Sequence, residues 1–256
     1  MMITTIAPVH SFERKTGYKT NPAALRAYVV GKRNYLIFKR IFDVVLSLAV
    51  IIFILSWLVP IVALLIKLDS NGPVFFIQRR VGRFGRSFAC LKFRTMVVND
   101  QANTRQASAG DSRITRVGNF LRVSNLDEFP QFINVLLGQM SVVGPRPHMH
   151  ADCNKFSSVI AHYKFRNMMK PGITGLAQVK GYRGPTRDFE SMFHRFQFDA
   201  FYIRNANFWL DMRIVRKTAT QTLQTLWRKV ADTEVPATAH PQPASQQWKA
   251  SVKNLN

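Results

Sequence analysis

The chain has 256 residues, with 36 Lys and Arg against 14 Asp and Glu, a net charge of +22. Hydrophobic residues make up 47%, which provides for a core and excludes wholesale disorder. A charge of that size calls for an anionic partner: nucleic acid, an anionic membrane surface or a phosphorylated substrate. Two cysteines, Cys90 and Cys153, have neither metal-ligand spacing nor a disulfide framework and read as buried thiols of a reduced compartment.

Residues 1–37 form a basic N-terminal arm carrying Arg14, Lys15, Lys19, Arg26, Lys32 and Arg33. It has no apolar core and so is no signal peptide; its charges suit an anionic lipid surface. Val44–Ile66 follows, almost wholly apolar and uncharged, just long enough to cross a bilayer as a straight helix. Both flanks are basic, however: Lys39 and Arg40 before, Lys67, Arg79, Arg80, Arg83 and Arg86 after. The positive-inside rule is then met only if both ends stay on one side. Ser56-Trp57 and Pro60 lie mid-segment, where a bend is needed. A re-entrant helix–break–helix over residues 38–68 therefore fits better than a span.

Residues 69–230 read as one domain, and 231–256, without periodicity, as a disordered tail. Asp69-Ser70-Asn71-Gly72-Pro73 is a turn. Val74–Val81 and Phe88–Met96 are β-rich runs around Gly82–Arg86 and predict a hairpin. Lys92 and Arg94 on it suit either a solvated strand face or phosphate binding. Val97–Ala109 is expected to be helical, then mobile, and Asn119–Val123 is a short amphipathic piece.

Next comes Ser124-Asn125-Leu126-Asp127-Glu128-Phe129-Pro130-Gln131, two adjacent carboxylates in a chain poor in acid, with Arg116 and Arg122 before it. Asn125 and Glu128 have capping-box spacing, which puts the acid pair at a helix N-terminus where the dipole and arginine favour ionisation. Gly138 stops that helix. Glu128 as a mere cap, and Asp127 as a mere arginine partner, remain open readings. Met140–Val143 is strand-like and leads into Gly144-Pro145-Arg146-Pro147. The prolines hold Arg146 extended, which suits bidentate recognition of a phosphate, or pairing with a nearby acid. His148 and His150, without a third ligand, read as surface residues rather than a metal site.

Lys39-Arg40-Ile41-Phe42-Asp43, Gly72-Pro73-Val74-Phe75-Phe76, Lys92-Phe93-Arg94-Thr95-Met96, Leu126–Gln131 and Val143-Gly144-Pro145-Arg146-Pro147 occur together and in order. In this the chain resembles the bacterial sugar transferases, specifically the monotopic phosphoglycosyl transferases, over about residues 38–218. The resemblance implies an α+β fold: a re-entrant membrane helix plus a small helix-rich catalytic domain with a β-hairpin and interfacial amphipathic helices. It implies transfer of a sugar-1-phosphate, here a hexose, from a UDP-sugar to polyprenyl phosphate at the bacterial inner membrane, releasing UMP and initiating exopolysaccharide, capsule or O-antigen assembly. The catalytic pair falls on Asp127 and Glu128, which also hold Mg²⁺, and the phosphate-site cations on Lys92, Arg94, Arg122 and Arg146. A homo-oligomer is left open. Larger relatives carry a further N-terminal four-helix membrane domain, to which residues 1–37 have no counterpart. The Ser-Pro common at the membrane bend is Ser56-Trp57 here, with proline displaced to Pro60, and Asn125 stands where Ser is frequent.

Beyond the site, Phe156–Met169 reads as an amphipathic helix, and Lys170–Gly175 and Gly181–Thr186 as loops. By resemblance both loops lie near the sugar-nucleotide site. Asp188–Asn205 is helical with Phe189, Met192, Phe193 and Phe196 as a core or interface stripe. Phe208–Val230 mixes Trp209 and Trp227 with arginines and suits the membrane interface. The rival classes are a membrane-tethered nucleic-acid-binding protein and a non-catalytic assembly scaffold. No nucleic-acid module is recognisable, and the intact acid pair argues against the scaffold.

Overall fold

The computed structural model describes residues 31–100, 107, 110–184 and 189–231. Most of the basic arm and nearly all of the tail lie outside these residues, as do most of 97–109 and the end of the Gly181–Thr186 loop.

The apolar segment is helical throughout: α1 (Arg33–Val50), a π-helical stretch (Ile51–Leu55) and α2 (Ser56–Asp69). The expected break is absent. The chain stays in right-handed helical geometry from Val50 to Ser56. A π turn takes up one extra residue without opening the backbone. Pro60 sits inside α2, while Ser56 Oγ donates to the Ile52 carbonyl at 2.6 Å and Trp57 Nε1 to that of Phe53 at 2.8 Å.

The π stretch has a packing consequence. The face buried against the rest of the chain is Lys39, Asp43, Ser47, Val50, Leu55, Leu58, Val62 and Ile66. Steps of three or four residues keep one face in register, and the long step from Val50 to Leu55 falls on the π turn. The opposite face is an apolar stripe open to the surroundings, including Phe38, Val45, Phe53, Trp57 and Leu64.

Both ends of this helix are fastened. At its start Lys39 Nζ meets Asp211 Oδ2 at 2.7 Å, with both side chains buried. Tyr35 and Tyr202 donate to the same carboxylate at 2.9 and 2.8 Å. Arg40 donates to the carbonyls of Val135 and Leu136 at 2.7 and 2.8 Å, and Asp43 Oδ1 accepts from Ser141 Oγ and the Val142 amide. At its end Asp69 Oδ2 accepts the Val117 amide at 3.0 Å, and Arg94 donates to the carbonyls of Ser70 and Asn71. Two of the flanking charges that set the topology argument, Lys39 and Arg40, are thus also docking contacts.

The hairpin forms as expected: β1 (Phe75–Val81) pairs antiparallel with β2 (Ser87–Phe93), from Phe75 opposite Phe93 to Val81 opposite Ser87. Then come α3 (Arg116–Ser124), a 3-10 turn (Leu126–Glu128), α4 (Gln131–Leu136) and β3 (Ser141–Val143). β3 pairs in parallel with β4 (Gly172–Thr174), inside a stretch that reads as loop in the sequence. Three residues without alternation give no strand signal. The two backbones approach so closely that a Cβ on Gly144 would lie 2.4 Å from the Lys170 carbonyl oxygen. The expected helix Phe156–Met169 is instead α5 (His150–Val159) and a 3-10 turn (Tyr163–Met168), separated by Ile160 in extended geometry and His162 at φ 60°. α6 (Leu176–Val179), α7 (Phe189–Asn205) and α8 (Phe208–Ala231) complete the order.

The main core joins α5, α7 and the β3–β4 pair, with Tyr163, Met192, Phe198 and Ile203 fully buried. A second cluster packs Val50, Leu55, Leu58, Val62 and Ile66 against Phe93 and Leu121. On α7, Met192 and Phe196 are core while Phe189 and Phe193 are exposed, so the aromatic stripe is divided. On α8, Trp209, Leu223 and Trp227 are exposed. Cys90 and Cys153 are free and buried, as expected.

Asp211→Ala leaves Lys39 charged, buried and unpaired. It is expected to destabilise the fold by about 3–5 kcal/mol. Thermal unfolding of the detergent-solubilised chain measures this; an unchanged midpoint would show that the pair does not hold the helix.

Candidate active site

A cavity of about 470 Å³ opens beside the hairpin, and Lys92, Arg122, Asp127, Glu128, Arg146 and Arg183 line it. Local sequence explains how the acids reach it. Thr115 caps α3 by accepting the Gly118 amide at 3.0 Å. A Cβ on Gly118 would stand 2.1 Å from the Thr95 carbonyl oxygen, so glycine lets α3 lie on the end of the hairpin. Arg122 Nε then reaches Thr95 Oγ1 at 2.8 Å. Asn125 ends α3 in the left-handed region, φ 59°, which Asn tolerates better than most residues. That reversal turns Asp127 and Glu128 into the 3-10 turn before α4, with Pro130 at the α4 N-cap position.

The capping box does not form. Asn125 makes no side-chain cap, and the Glu128 side chain is taken by stronger partners. Glu128 Oε1 accepts Lys92 Nζ at 2.6 Å and Arg146 Nη2 at 2.6 Å, while Oε2 accepts Arg146 Nη1 at 3.1 Å. Two charge-assisted partners outweigh a lone amide. Burial pulls the Glu128 carboxyl upward, but Arg146 and Lys92 prevail and hold it well below the usual carboxylate range.

Asp127 is the opposite case. It receives no hydrogen bond from any described residue and is partly open to the cavity. Burial, reinforced by the Glu128 charge, pushes its carboxyl up to about 6 against Lys92, Arg146 and Arg122. The helix-terminal position alone suggested easy ionisation; desolvation overrides it. The pair is thus divided into a fixed, fully paired anion and an available, more basic one.

The other sequence candidates separate. Lys92 and Arg146 stand at the acid pair. Arg146 is held further by its own carbonyl, which accepts Arg166 Nη2 at 2.8 Å, and Arg166 pairs with Asp199 at 2.7 Å. Arg122 faces Asp127 electrostatically. Arg94 borders the cavity, but its guanidinium is spent on backbone carbonyls at the end of α2. His148 is buried, not at the surface: its Nδ1 lies 2.6 Å from Tyr163 Oη, and burial, with Arg166 and Arg195 nearby, keeps it neutral. Arg80, Arg183, Arg195 and Asp152 also line the cavity and were not singled out. Arg183 had a usable signal, an arginine between Gly181 and Gly184 in a loop. Arg195 had none, being one basic residue in an aromatic helix. Among the described residues no three His, Cys, Asp or Glu side chains form a metal-binding group.

With that geometry in hand, comparison with known proteins is specific. The family described as bacterial sugar transferase matches residues 34–225. A UDP-glucose:undecaprenyl-phosphate glucose-1-phosphate transferase of Xanthomonas campestris pv. campestris is 47% identical over 203 residues, 78% of this chain and 42% of the relative. A protein of the same name from Caulobacter vibrioides is 45% identical over 188 residues, 73% of this chain and 70% of its own. A UDP-N-acetylgalactosamine-undecaprenyl-phosphate N-acetylgalactosaminephosphotransferase of Aeromonas hydrophila is 42% identical over 185 residues, 72% of this chain and 43% of its own. The chain spans about two fifths of the length of several of these relatives. It belongs to the bacterial sugar transferase family.

The division of the acid pair has a stability consequence. The folded chain holds the Asp127 proton more tightly than the unfolded chain does, so native stability falls as pH rises from 3.8 to about 6. At pH 7 the ionised carboxylate is a net cost. Asp127→Asn is expected to raise stability by about 1–2 kcal/mol at pH 7, after allowing for its partial exposure, and to lose that advantage towards pH 4. Paired thermal melts across this range measure it; a variant less stable at pH 7 contradicts the assignment.

Proposed function

We propose that this chain transfers a sugar-1-phosphate from a UDP-sugar to polyprenyl phosphate, releasing UMP, with Asp127 as nucleophile. The observation that carries the reading is the division of the acid pair: Glu128 fully paired with Lys92 and Arg146, Asp127 unpaired at the cavity. The names of the similar proteins support the substrates, and those carrying glucose make UDP-glucose the first choice of donor. A part in exopolysaccharide synthesis is supported by a further similar protein that is named for exopolysaccharide production.

In the first step an Asp127 carboxylate oxygen attacks the phosphorus bonded to the sugar-1-oxygen. The bond to the bridging oxygen breaks and UMP leaves with the electron pair. In the second step a polyprenyl-phosphate oxygen attacks that same phosphorus, the aspartyl bond breaks, and the carboxylate is regenerated. Dividing one displacement between anions into two gives each step a preformed partner. Lys92 and Arg146 hold Glu128 so that it fixes the turn bearing Asp127, and Arg122 faces the attacking carboxylate.

The donor set suits Mg²⁺: an open Asp127 carboxylate beside an acid, to be completed by substrate phosphate oxygens and water. Asp127, with Glu128 behind it, would hold the ion, which supplies charge neutralisation on the phosphates.

The membrane reading rests on the helix that α1 and α2 make. Among the described residues one helix, Arg33–Asp69, is long and apolar enough to cross a bilayer. Yet its two ends and its polar face dock on one domain, and a helix with both ends on one domain keeps them on one side of a membrane. The outer stripe then meets lipid, with the domain on the cytoplasmic face of the inner membrane. Native cysteines being buried, single cysteines at exposed Asn34 and Asn71 are expected to react with an impermeant maleimide only after cells are opened. Labelling of either in intact cells restores a spanning helix.

The chemistry is tested with a UDP-sugar labelled in the sugar. Wild type should retain label on protein when polyprenyl phosphate is withheld, and Asp127→Asn should retain none. Strictly ternary-complex kinetics with no trapped label would sink the covalent route. The value of kcat/KM should fall as pH drops through about 6, where Asp127 takes up its proton. Glu128→Gln removes a like charge and frees two cations, so whatever activity remains should have this limb at lower pH. A limb moving upward would mean that Asp127 is not the titrating group. A panel of UDP-sugars checks the donor, and preference for an N-acetylated sugar overturns glucose.

A further inference from the structure

The buried cations of this chain are nearly all accounted for. Lys39 has Asp211, Arg166 has Asp199, Lys92 and Arg146 share Glu128, and Arg94 is held by the carbonyls of Ser70 and Asn71 at the end of α2. Arg195 is different. It is 5% exposed on the inner face of α7, between Met192 and Phe196, and it lines the cavity. Its Nη2 donates to the Gly184 carbonyl at 2.6 Å, but its Nε is buried without a partner. Among the described residues no carboxylate pairs with it, because Asp199, one turn on, is taken by Arg166 at 2.7 and 3.1 Å. Arg183, partly buried at the same cavity, likewise has no hydrogen-bond partner among the described residues. A buried guanidinium with one carbonyl partner and no carboxylate is costly, and one that lines a cavity can take its anion from a ligand.

We propose that Arg195, with Arg183, seats the phosphate of the nucleotide leaving group; this rests on the transferase reading above. The ligand chemistry is a phosphate monoester, and two sources bring one to the cavity. Position separates them. The cavity wall at Phe75 and Phe93 packs on the cluster that includes α2, the membrane side. Arg195 lies among side chains of the other cluster, built from α5 and α7. The lipid phosphate enters from the first side, the soluble nucleotide from the second. Burial, with Arg146 adding to it, pushes the Arg195 guanidinium down to about 10, as expected of a cation short of anions. The role is distinct from that of Lys92 and Arg146, whose donors are occupied by Glu128.

The test is direct binding to the full chain in detergent, by calorimetry, with UMP, uridine and farnesyl phosphate. Arg195→Gln is expected to weaken UMP about ten- to a hundredfold, the worth of charge-assisted contacts, and to leave uridine and farnesyl phosphate unchanged. Without ligand it should melt no lower than wild type, because an unpaired buried charge has been removed. A purely structural arginine predicts a lower melting point and unaltered UMP affinity. Arg195→Lys, which keeps the charge but not the fork, should fall between the two in UMP affinity. Unchanged UMP binding, loss confined to farnesyl phosphate, or an Arg195→Gln chain that does not fold each overturns the assignment. Wild type that binds no UMP and turns over no UDP-sugar defeats the transferase reading together with it. Wild type that binds UMP, alongside a variant that binds it equally, defeats the Arg195 assignment alone.

Discussion

The ion triad of Glu128 with Lys92 and Arg146 is the constraint on which the site depends. It ties strand β2, the 3-10 turn and the Pro-Arg-Pro loop, segments 36 and 18 residues apart in the chain. Once those oxygens are filled, Glu128 is a fixed negative charge and its neighbour carries the consequence. Asp127 sits against that charge with no donor of its own among the described residues; burial first, and the Glu128 charge after it, raise its carboxyl against the pull of Lys92, Arg146 and Arg122, so one carboxylate stays ionised and the other is basic. Two adjacent acids with the same intrinsic chemistry thereby acquire different roles. The Arg166–Asp199 pair extends the arrangement into the core by holding the Arg146 backbone.

The same logic fastens the apolar helix. Of its buried polar residues, the charged ones, Lys39 and Asp43, each meet a specific partner on the domain, and Arg94 closes its far end. Unpaired, these groups would cost more than the adjacent apolar contacts return. The π turn lets that polar-then-apolar face stay on the domain along the whole helix. Because Lys92 is on β2 and Arg94 follows directly after its last residue, the helix end and the acid pair are mechanically joined through the end of β2. Arg94, which looks like a phosphate ligand, therefore acts here as a helix-end clamp.

Much of this was legible in residue order. The hairpin announced itself by its turn glycines, the helix by its apolar run, and the acid pair by its scarcity in a basic chain. What stayed hidden depended on distant partners. Glu128 has capping-box spacing from Asn125, but nothing local tells that Lys92 and Arg146 will arrive first. His148 looked like a surface histidine because burial by Tyr163 and Phe156 is a tertiary fact. β4 is three residues long, too short for alternation to register, and the helix expected through Met169 fails where Ile160 and His162 leave helical geometry. Arg195 was indistinguishable from the other arginines until its lack of a carboxylate could be seen.

The charge arrangement also bears on how labour is divided in the proposed reaction. Seven Lys and Arg line the cavity against three carboxylates. An anionic phosphate arriving beside Asp127 repels it: at about 4 Å and an effective dielectric near 20 the cost is roughly 4 kcal/mol. Uncompensated, that would raise the Asp127 pKa from about 6 to well above neutrality, and the nucleophile would be lost on binding its own substrate. Lys92 and Arg146 bring two positive charges against the one negative charge of Glu128, so part of their field already acts on Asp127. Further compensation comes from cavity-lining cations without a carboxylate partner among the described residues, which include Arg80, Arg122, Arg183 and Arg195, and from any divalent ion carried with the diphosphate. A cavity with unpaired arginines on one side and a raised carboxylate on the other is therefore one electrostatic design: the free site carries an excess of positive charge so that, with the substrate's phosphates in place, Asp127 remains an anion.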